Sequence, residues 1–187
     1  MSGRRLYAAL PNLISLARLL AVPVTVWLII NDRLGVAFWM FVAAGISDAL
    51  DGFIAKHFGA RSVIGGYLDP LADKALLTSV YVTLGYVGHM ASWLVILVVF
   101  RDVLIIGGAI LYHTVTGKLT MQPLFVSKIN TTAQIALAAV VLAQSGLGAD
   151  YGLDELLVPL VAATTLASGA AYLIIWGWKA LRMEGGE

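Results

Sequence analysis

The sequence predicts an all-α fold, a polytopic membrane protein built as a bundle of six transmembrane helices, and three observations carry that expectation. Of 187 residues, 60% are hydrophobic and only 12% charged, which is more apolar surface than a soluble core requires. These residues fall in long runs, and a helix needs about 20 of them to cross a bilayer. Short polar or turn-forming stretches, such as Asn31-Asp32-Arg33 and Gly146-Leu147-Gly148-Ala149-Asp150, separate the runs. No linker is long enough to divide domains, so residues 1–187 are expected to form a single membrane domain.

The first span is expected over 8–30. Arg4 and Arg5 ahead of it resemble the start of a signal peptide, but the apolar run continues to Ile30 without a small-residue cleavage site, so the segment is read as a retained span. The second is expected over 34–58 and the third over 65–87, with Pro70 in its first turn, where a missing backbone donor is tolerated. The fourth, 91–112, carries Arg101 and Asp102 near its middle. The fifth, 123–144, places Lys128 about one and a half turns in. The sixth is expected over 156–181.

Lys and Arg near span ends are enriched on the cytoplasmic side of membranes. Arg4, Arg5, Lys56, Arg61, Lys118, Lys128, Lys179 and Arg182 fall on the side of the N-terminus, against Arg33 alone on the other. Both termini are therefore expected in the cytoplasm, with Asp150, Asp154 and Glu155 outside. Trp93, Trp176 and Trp178 lie near span ends, where interfacial aromatics gather, although ordinary helix packing explains them equally well. A net charge of +1 with 12 Lys and Arg leaves no basic patch for a nucleic-acid partner. With no cysteine in the chain, any metal must use oxygen or imidazole ligands. His57, His89 and His113 are expected at loop edges, none with a ligand partner at helical spacing.

Five of the 11 acidic residues, Asp48, Asp51, Asp69, Asp73 and Asp102, lie within or beside the spans. A carboxylate at the centre of a membrane helix costs about 2.5–3.5 kcal/mol on insertion scales, so such residues are functional candidates by default. Asp48 and Asp51 are i and i+3, Asp69 and Asp73 are i and i+4, and each spacing puts two carboxylates on one helix face. Asp48 lies about 20 Å along its helix from Leu34, and the next helix starts where that one ends, so the two pairs meet at one depth near the cytoplasmic leaflet. Four carboxylates gathered there repel one another unless cations bridge them, and hard divalent ions prefer oxygen ligands. A site for one or two metals is the economical solution, since Lys56 and Lys74 are the cations adjacent in sequence. A cation transporter would instead spread its acidic residues over the whole membrane depth. Gly52 and Gly65 are small where a ligand or another backbone comes close, while Gly66 suits contact between spans.

Written out, Asp48-Ala-Leu-Asp51-Gly52-Phe-Ile-Ala55-Lys56, eight residues, then Gly65-Gly-Tyr-Leu-Asp69-Pro-Leu-Ala-Asp73 resembles the signature D-x2-D-G-x2-A-R-x8-G-x3-D-x3-D of the CDP-alcohol phosphotransferases. The departure is Lys56, where the family typically has Arg; lysine lacks the planar fork that grips a diphosphate through two bonds. The resemblance implies six transmembrane helices and a homodimer. It also implies that Asp48, Asp51, Asp69 and Asp73 bind two divalent cations, Mg²⁺ or Mn²⁺, and that Asp73 accepts the proton of the attacking hydroxyl. Gly52, Ala55, Lys56 and Gly65 would line the CDP site.

Arg101-Asp102 and the stretch from Phe125 through Ser127, Lys128, Asn130, Thr131 and Thr132 to Gln134 resemble the corresponding segments of CMP-forming cardiolipin synthases. The sister phosphatidylglycerophosphate synthases tend to have Arg-Glu and a related Lys-x-x-Thr-x-x-Gln. Neighbouring positions i and i+1 do not face each other on a helix, so Arg101 and Asp102 are expected to line a cavity and not to pair. Asn12, Ser15 and Arg18 resemble family residues near the lipid donor, and Arg18 stands about 10 Å in from Pro11, where snorkelling to the inner surface is the alternative. With Arg61 and Lys128, these residues form the expected contacts for acceptor or lipid headgroups. The implied substrates are CDP-diacylglycerol and phosphatidylglycerol, with CMP released; glycerol 3-phosphate is the alternative acceptor. The expected setting is a bacterial inner membrane, with the active site on its cytoplasmic side.

Overall fold

The computed structural model describes residues 3–57, 63–116, 124–148 and 152–184, with side chains at 13–50, 70–111, 114, 124–148, 152–176 and 178. Its backbone forms α1 (Gly3–Ile30), α2 (Leu34–His57), α3 (Val63–Tyr86), α4 (Ser92–Thr116), α5 (Phe125–Leu147) and α6 (Leu153–Glu184), with no strand among the described residues. Each helix falls within a few residues of its expected span. Four of them, α1, α4, α5 and α6, hold segments long and apolar enough to cross a membrane, and α2 holds a shorter apolar run, Leu34–Leu50. The chain is thus an integral membrane protein.

Two expectations change. Helix α3 starts at Val63, so Pro70 lies inside it and not in its first turn, and the carbonyl one turn back loses its donor within the helix. His113 falls inside α4, which runs on to Thr116.

The chain divides into two compact units. The first comprises residues 1–90 and 138–151, the second residues 91–137 and 152–187. In the first unit α1 packs on both α2 and α3. The α1–α2 turn is closed by the Arg33 amide donating to the Leu28 carbonyl at 2.9 Å, with Asp32 in the left-handed region at φ 57°. Aspartate tolerates that conformation better than most residues, and the wrap-around bond satisfies a carbonyl at the helix end. Where α2 begins, the last turn of α5 comes so close that a Cβ on Gly146 would lie 2.2 Å from the Gly35 nitrogen and 2.4 Å from the Leu34 carbonyl carbon. Backbone meets backbone there, and only glycine allows it.

In the second unit α4 packs on α6, and the buried stripes are unusually polar. On α4 the stripe reads Leu94, Val98, Arg101, Asp102; on α6 it reads Val161, Thr165, Ser168, Tyr172. The opposite faces carry Ile96, Phe100, Val103, Ile106 and Ile110 on α4, and Leu160, Leu166, Leu173 and Ile174 on α6, all exposed. In lipid there is no hydrophobic force to drive these apolar side chains inward, so packing and polar contacts decide what faces a neighbouring helix. Gly108 completes the α4–α6 contact, since the Trp176 ring occupies the space a Cβ would need.

Gly146→Ala is expected to destabilise the protein by about 1–3 kcal/mol, the usual cost of forcing atoms into a filled contact. Gly107→Ala, whose Cβ would meet nothing within 4 Å, is expected to be neutral or slightly stabilising because alanine is the better helix former. Thermal unfolding of both variants in detergent checks the pair.

Candidate active site

Three helices of the first unit each bring one charged residue to a common level, and helix arithmetic shows how. Arg18 lies twelve residues before the end of α1 and Asp48 fourteen after the start of α2, about 18 and 21 Å from their shared turn. Asp48 lies nine residues before the end of α2 and Asp73 ten after the start of α3, about 14 and 15 Å from that connection. Each residue also continues the inward stripe of its helix. On α1 the stripe is Ser15, Arg18, Thr25, Ile29; on α2 Ala37, Phe41 and Ala44 lead to Asp48; on α3 Asp73 precedes Leu76, Leu77, Val80 and Leu84.

At that level the Arg18 Nη1 donates to Asp48 Oδ1 at 2.8 Å and also to Asp73 Oδ1. One nitrogen thus ties α1 to both α2 and α3. The guanidinium side chain is 2% exposed, whereas those of Asp48 and Asp73 are 45% and 43% exposed. The arginine closes the inner side of the cluster and the carboxylates open away from it. Guanidinium stays charged at any pH proteins experience and offers donors only, so in a low-dielectric interior it requires such acceptors.

These placements bear on the sequence expectations unevenly. Asp48 and Asp73 are brought together on Arg18, at the common depth expected from helical rise. The backbone is helical at Asn12, Asp51, Gly52, Ala55, Lys56, Gly65 and Asp69, but their side chains, and all of Arg61, lie outside the described residues. Among the described residues the site therefore has two carboxylates, and no group of three or more His, Cys, Asp or Glu gathers anywhere. The pair presents carboxylate oxygen from two helices within reach of a single cationic nitrogen, a donor type that suits Mg²⁺ or Mn²⁺. Arg18 does not snorkel to the surface; it is buried against the aspartates.

The second unit holds a separate polar cluster. Arg101 Nε donates to Ser168 Oγ at 3.1 Å, Nη1 to Asp102 Oδ1 at 2.6 Å, and Nη2 to Ser168 Oγ at 2.6 Å and to Ser127 Oγ. The expectation that Arg101 and Asp102 would not pair is thus corrected. Arginine is long enough to fold its fork back onto the carboxylate of the next residue, and burial of both groups, at 4% and 6% exposure, makes that contact worth forming. Next to this cluster in sequence, the fully buried Asn130 accepts from Thr164 and Thr165, both at 2.9 Å, while its Nδ2 has no partner among the described residues. Lys128 is exposed on α5.

Ser127, Thr164, Thr165 and Ser168 escaped the sequence reasoning as partners of these groups. The signal was available in the spacing, because Thr164, Thr165 and Ser168 share one face of a long apolar helix, where hydroxyls are best used against a neighbouring helix.

A profile of the CDP-alcohol phosphatidyltransferase family matches residues 8–176. The chain is 37% identical over 190 residues to a chloroplastic CDP-diacylglycerol–glycerol-3-phosphate 3-phosphatidyltransferase of Oryza sativa, covering 91% of this chain and 57% of that protein. It is 35% identical over 180 residues to the human cardiolipin synthase (CMP-forming), covering 87% of this chain and 60% of that one. A probable phosphatidylglycerophosphate synthase of Mycobacterium tuberculosis is 29% identical over 153 residues, covering 78% of this chain and 72% of the relative. The chain thus spans somewhat under two thirds of the length of the rice and human proteins. Since the profile covers nearly all of α1 to α6, including the aspartate helices, the chain belongs to the CDP-alcohol phosphatidyltransferase family.

Proposed function

We propose that residues 1–187 form one phosphatidyltransferase domain that moves a phosphatidyl group from CDP-diacylglycerol to phosphatidylglycerol, giving cardiolipin and CMP. The choice of acceptor rests on the resemblance of Arg101-Asp102 and the stretch from Phe125 to Gln134 to cardiolipin synthases, two segments that the bond from Arg101 to Ser127 brings together. A second reading, with glycerol 3-phosphate as acceptor, is supported by the similarity to the rice protein, whose identity of 37% is close to the 35% of the human cardiolipin synthase.

In this reading Asp48, Asp51, Asp69 and Asp73 hold two divalent cations, Mg²⁺ or Mn²⁺. Such ions neutralise the diphosphate and stabilise the departing CMP. Gly52, Ala55, Lys56 and Gly65 line the CDP site, where Gly52, Ala55 and Gly65 are small enough for the nucleotide to approach helical backbone and Lys56 offers a cation to the diphosphate. Asp73 accepts the proton of the acceptor hydroxyl as its oxygen attacks the phosphorus bearing the diacylglycerol, and the bond from that phosphorus to the bridging oxygen breaks, so CMP leaves with that oxygen. A positioned carboxylate in this role contributes about 10²–10⁴-fold. Asn12, Arg61, Arg101, Asp102 and Lys128 serve the lipid donor and acceptor headgroups, whereas Arg18, buried against Asp48 and Asp73, serves those carboxylates and not a headgroup. Arg101 is tied to Ser127, Ser168 and Asp102, which suits a residue that shapes the acceptor pocket from within. All six helices cross the membrane, with both termini and the site on the cytoplasmic side of a bacterial inner membrane, and two copies associate as a homodimer.

Three measurements test this reading. Asp73→Asn in purified enzyme is expected to lower turnover by about 10²–10⁴-fold while CDP-diacylglycerol binding is partly retained; substantial remaining turnover would remove Asp73 as the base. Chelation with EDTA is expected to abolish transfer, and added Mg²⁺ or Mn²⁺ to restore it; turnover that persists in EDTA contradicts the metal assignment. Supplied with CDP-diacylglycerol and either phosphatidylglycerol or glycerol 3-phosphate, the enzyme is expected to yield product with phosphatidylglycerol. Product with glycerol 3-phosphate alone would establish the second reading.

A further inference from the structure

We propose that Arg18 is the resident counter-cation of the aspartate site, holding Asp48 and Asp73 together when no metal is bound and giving up their oxygens when a divalent cation enters. The inference rests on the metal assignment above and adds a competition to it. Nη1 of Arg18 engages Oδ1 of Asp48 and Oδ1 of Asp73 at once, so one donor occupies an oxygen on each of two carboxylates. A cation held by Asp48 and Asp73 would draw on the same two carboxylate charges that now face Arg18.

The arrangement answers a physical difficulty of the metal-free protein. Carboxylates gathered on α2 and α3 repel one another, and removing charge from water is costly unless it is paired. Lys56 and Lys74, the cations adjacent in sequence, lie on the same two helices as the carboxylates; Arg18 comes from α1, which packs on both. Its guanidinium side chain is 2% exposed while the two carboxylate side chains remain nearly half exposed. The outer side of the cluster is thus the route of entry, and Arg18 stands behind it.

Competition of this kind is reciprocal. If metal binding weakens the bond to Arg18, then Arg18 weakens metal binding by the same factor. A residue that only positions the aspartates would act in the opposite sense, since its loss would loosen the site and lower metal affinity.

The test is direct Mn²⁺ binding to purified, detergent-solubilised protein, followed by electron paramagnetic resonance, together with thermal unfolding in EDTA and in saturating Mn²⁺. Arg18→Gln is expected to bind Mn²⁺ about tenfold tighter than the wild type, because about 1.4 kcal/mol of opposing charge interaction is a modest share of what such contacts supply. The same substitution is expected to lower the unfolding temperature in EDTA and to leave it nearly unchanged in Mn²⁺. Unchanged or weaker Mn²⁺ affinity, or equal destabilisation in both conditions, overturns the proposal. Should Arg18→Gln not survive purification, Arg18→Lys decides: it keeps the charge but loses the fork, so an affinity gain of about threefold is expected, and none overturns the proposal. Wild-type protein that binds no Mn²⁺, or an Asp48→Asn, Asp73→Asn double variant that binds it as well as wild type, sinks the metal assignment itself, whereas an Arg18 variant with ordinary affinity removes only the role of Arg18.

Discussion

A charge placed in a membrane helix must find an opposite charge at its own depth, and the first unit is arranged around that requirement. Arg18 on α1 meets Asp48 on α2 and Asp73 on α3, so one guanidinium sets the level at which three helices align. The apolar part of the stripe, Leu28, Ile29, Leu34, Ala37, Phe41 and Ala44 with Leu76, Leu77 and Val80, packs these helices but would tolerate small slides along their axes. Charge pairing would not, because a slide would leave the buried Arg18 guanidinium, 2% exposed, without the carboxylates that compensate it. The polar contact therefore supplies register and the apolar contacts supply area.

The second unit solves the same problem with one counter-ion on the same helix and neutral groups from its neighbours. Ser127, Thr164, Thr165 and Ser168 surround Arg101 and Asn130, and small hydroxyl residues allow α4 and α6 to approach closely while completing the hydrogen bonds of larger polar groups. Because Arg101 also has Asp102 as counter-ion, the charge is balanced within α4 itself. The seam then needs only dipoles from α5 and α6. This division of labour leaves the outer faces of α4 and α6 free to carry large apolar side chains such as Ile96, Phe100, Leu166 and Leu173.

Much of this was legible in the sequence. Apolar runs of membrane length announce the helices to within a few residues, and counting along α2 from Leu34 puts Asp48 at the depth where it meets Asp73. What stayed hidden were pairings between helices. Nothing in the local sequence of Arg18 points to Asp48, thirty positions away, and the rule that neighbours on a helix do not face each other argued against Arg101 meeting Asp102, because it treats side chains as short. Pro70 is expected in the first turn of the third span, whereas α3 starts at Val63 and Pro70 is its eighth residue. Side-chain length and the distant partner are tertiary quantities, and periodicity does not encode them.

The hairpin that joins α1 to α2 works as a measuring device. Its turn is pinned by Asp32 in the left-handed conformation and by the bond from Arg33 to Leu28, and from that fixed point the twelve residues back to Arg18 and the fourteen forward to Asp48 are counted off by helical rise. One residue inserted between Leu34 and Asp48 would carry the carboxylate about 1.5 Å further and swing it about 100° around its axis, off the face that meets Arg18. The stretch between the turn and the charged residues is thus intolerant of length change, although most of it consists of interchangeable apolar side chains.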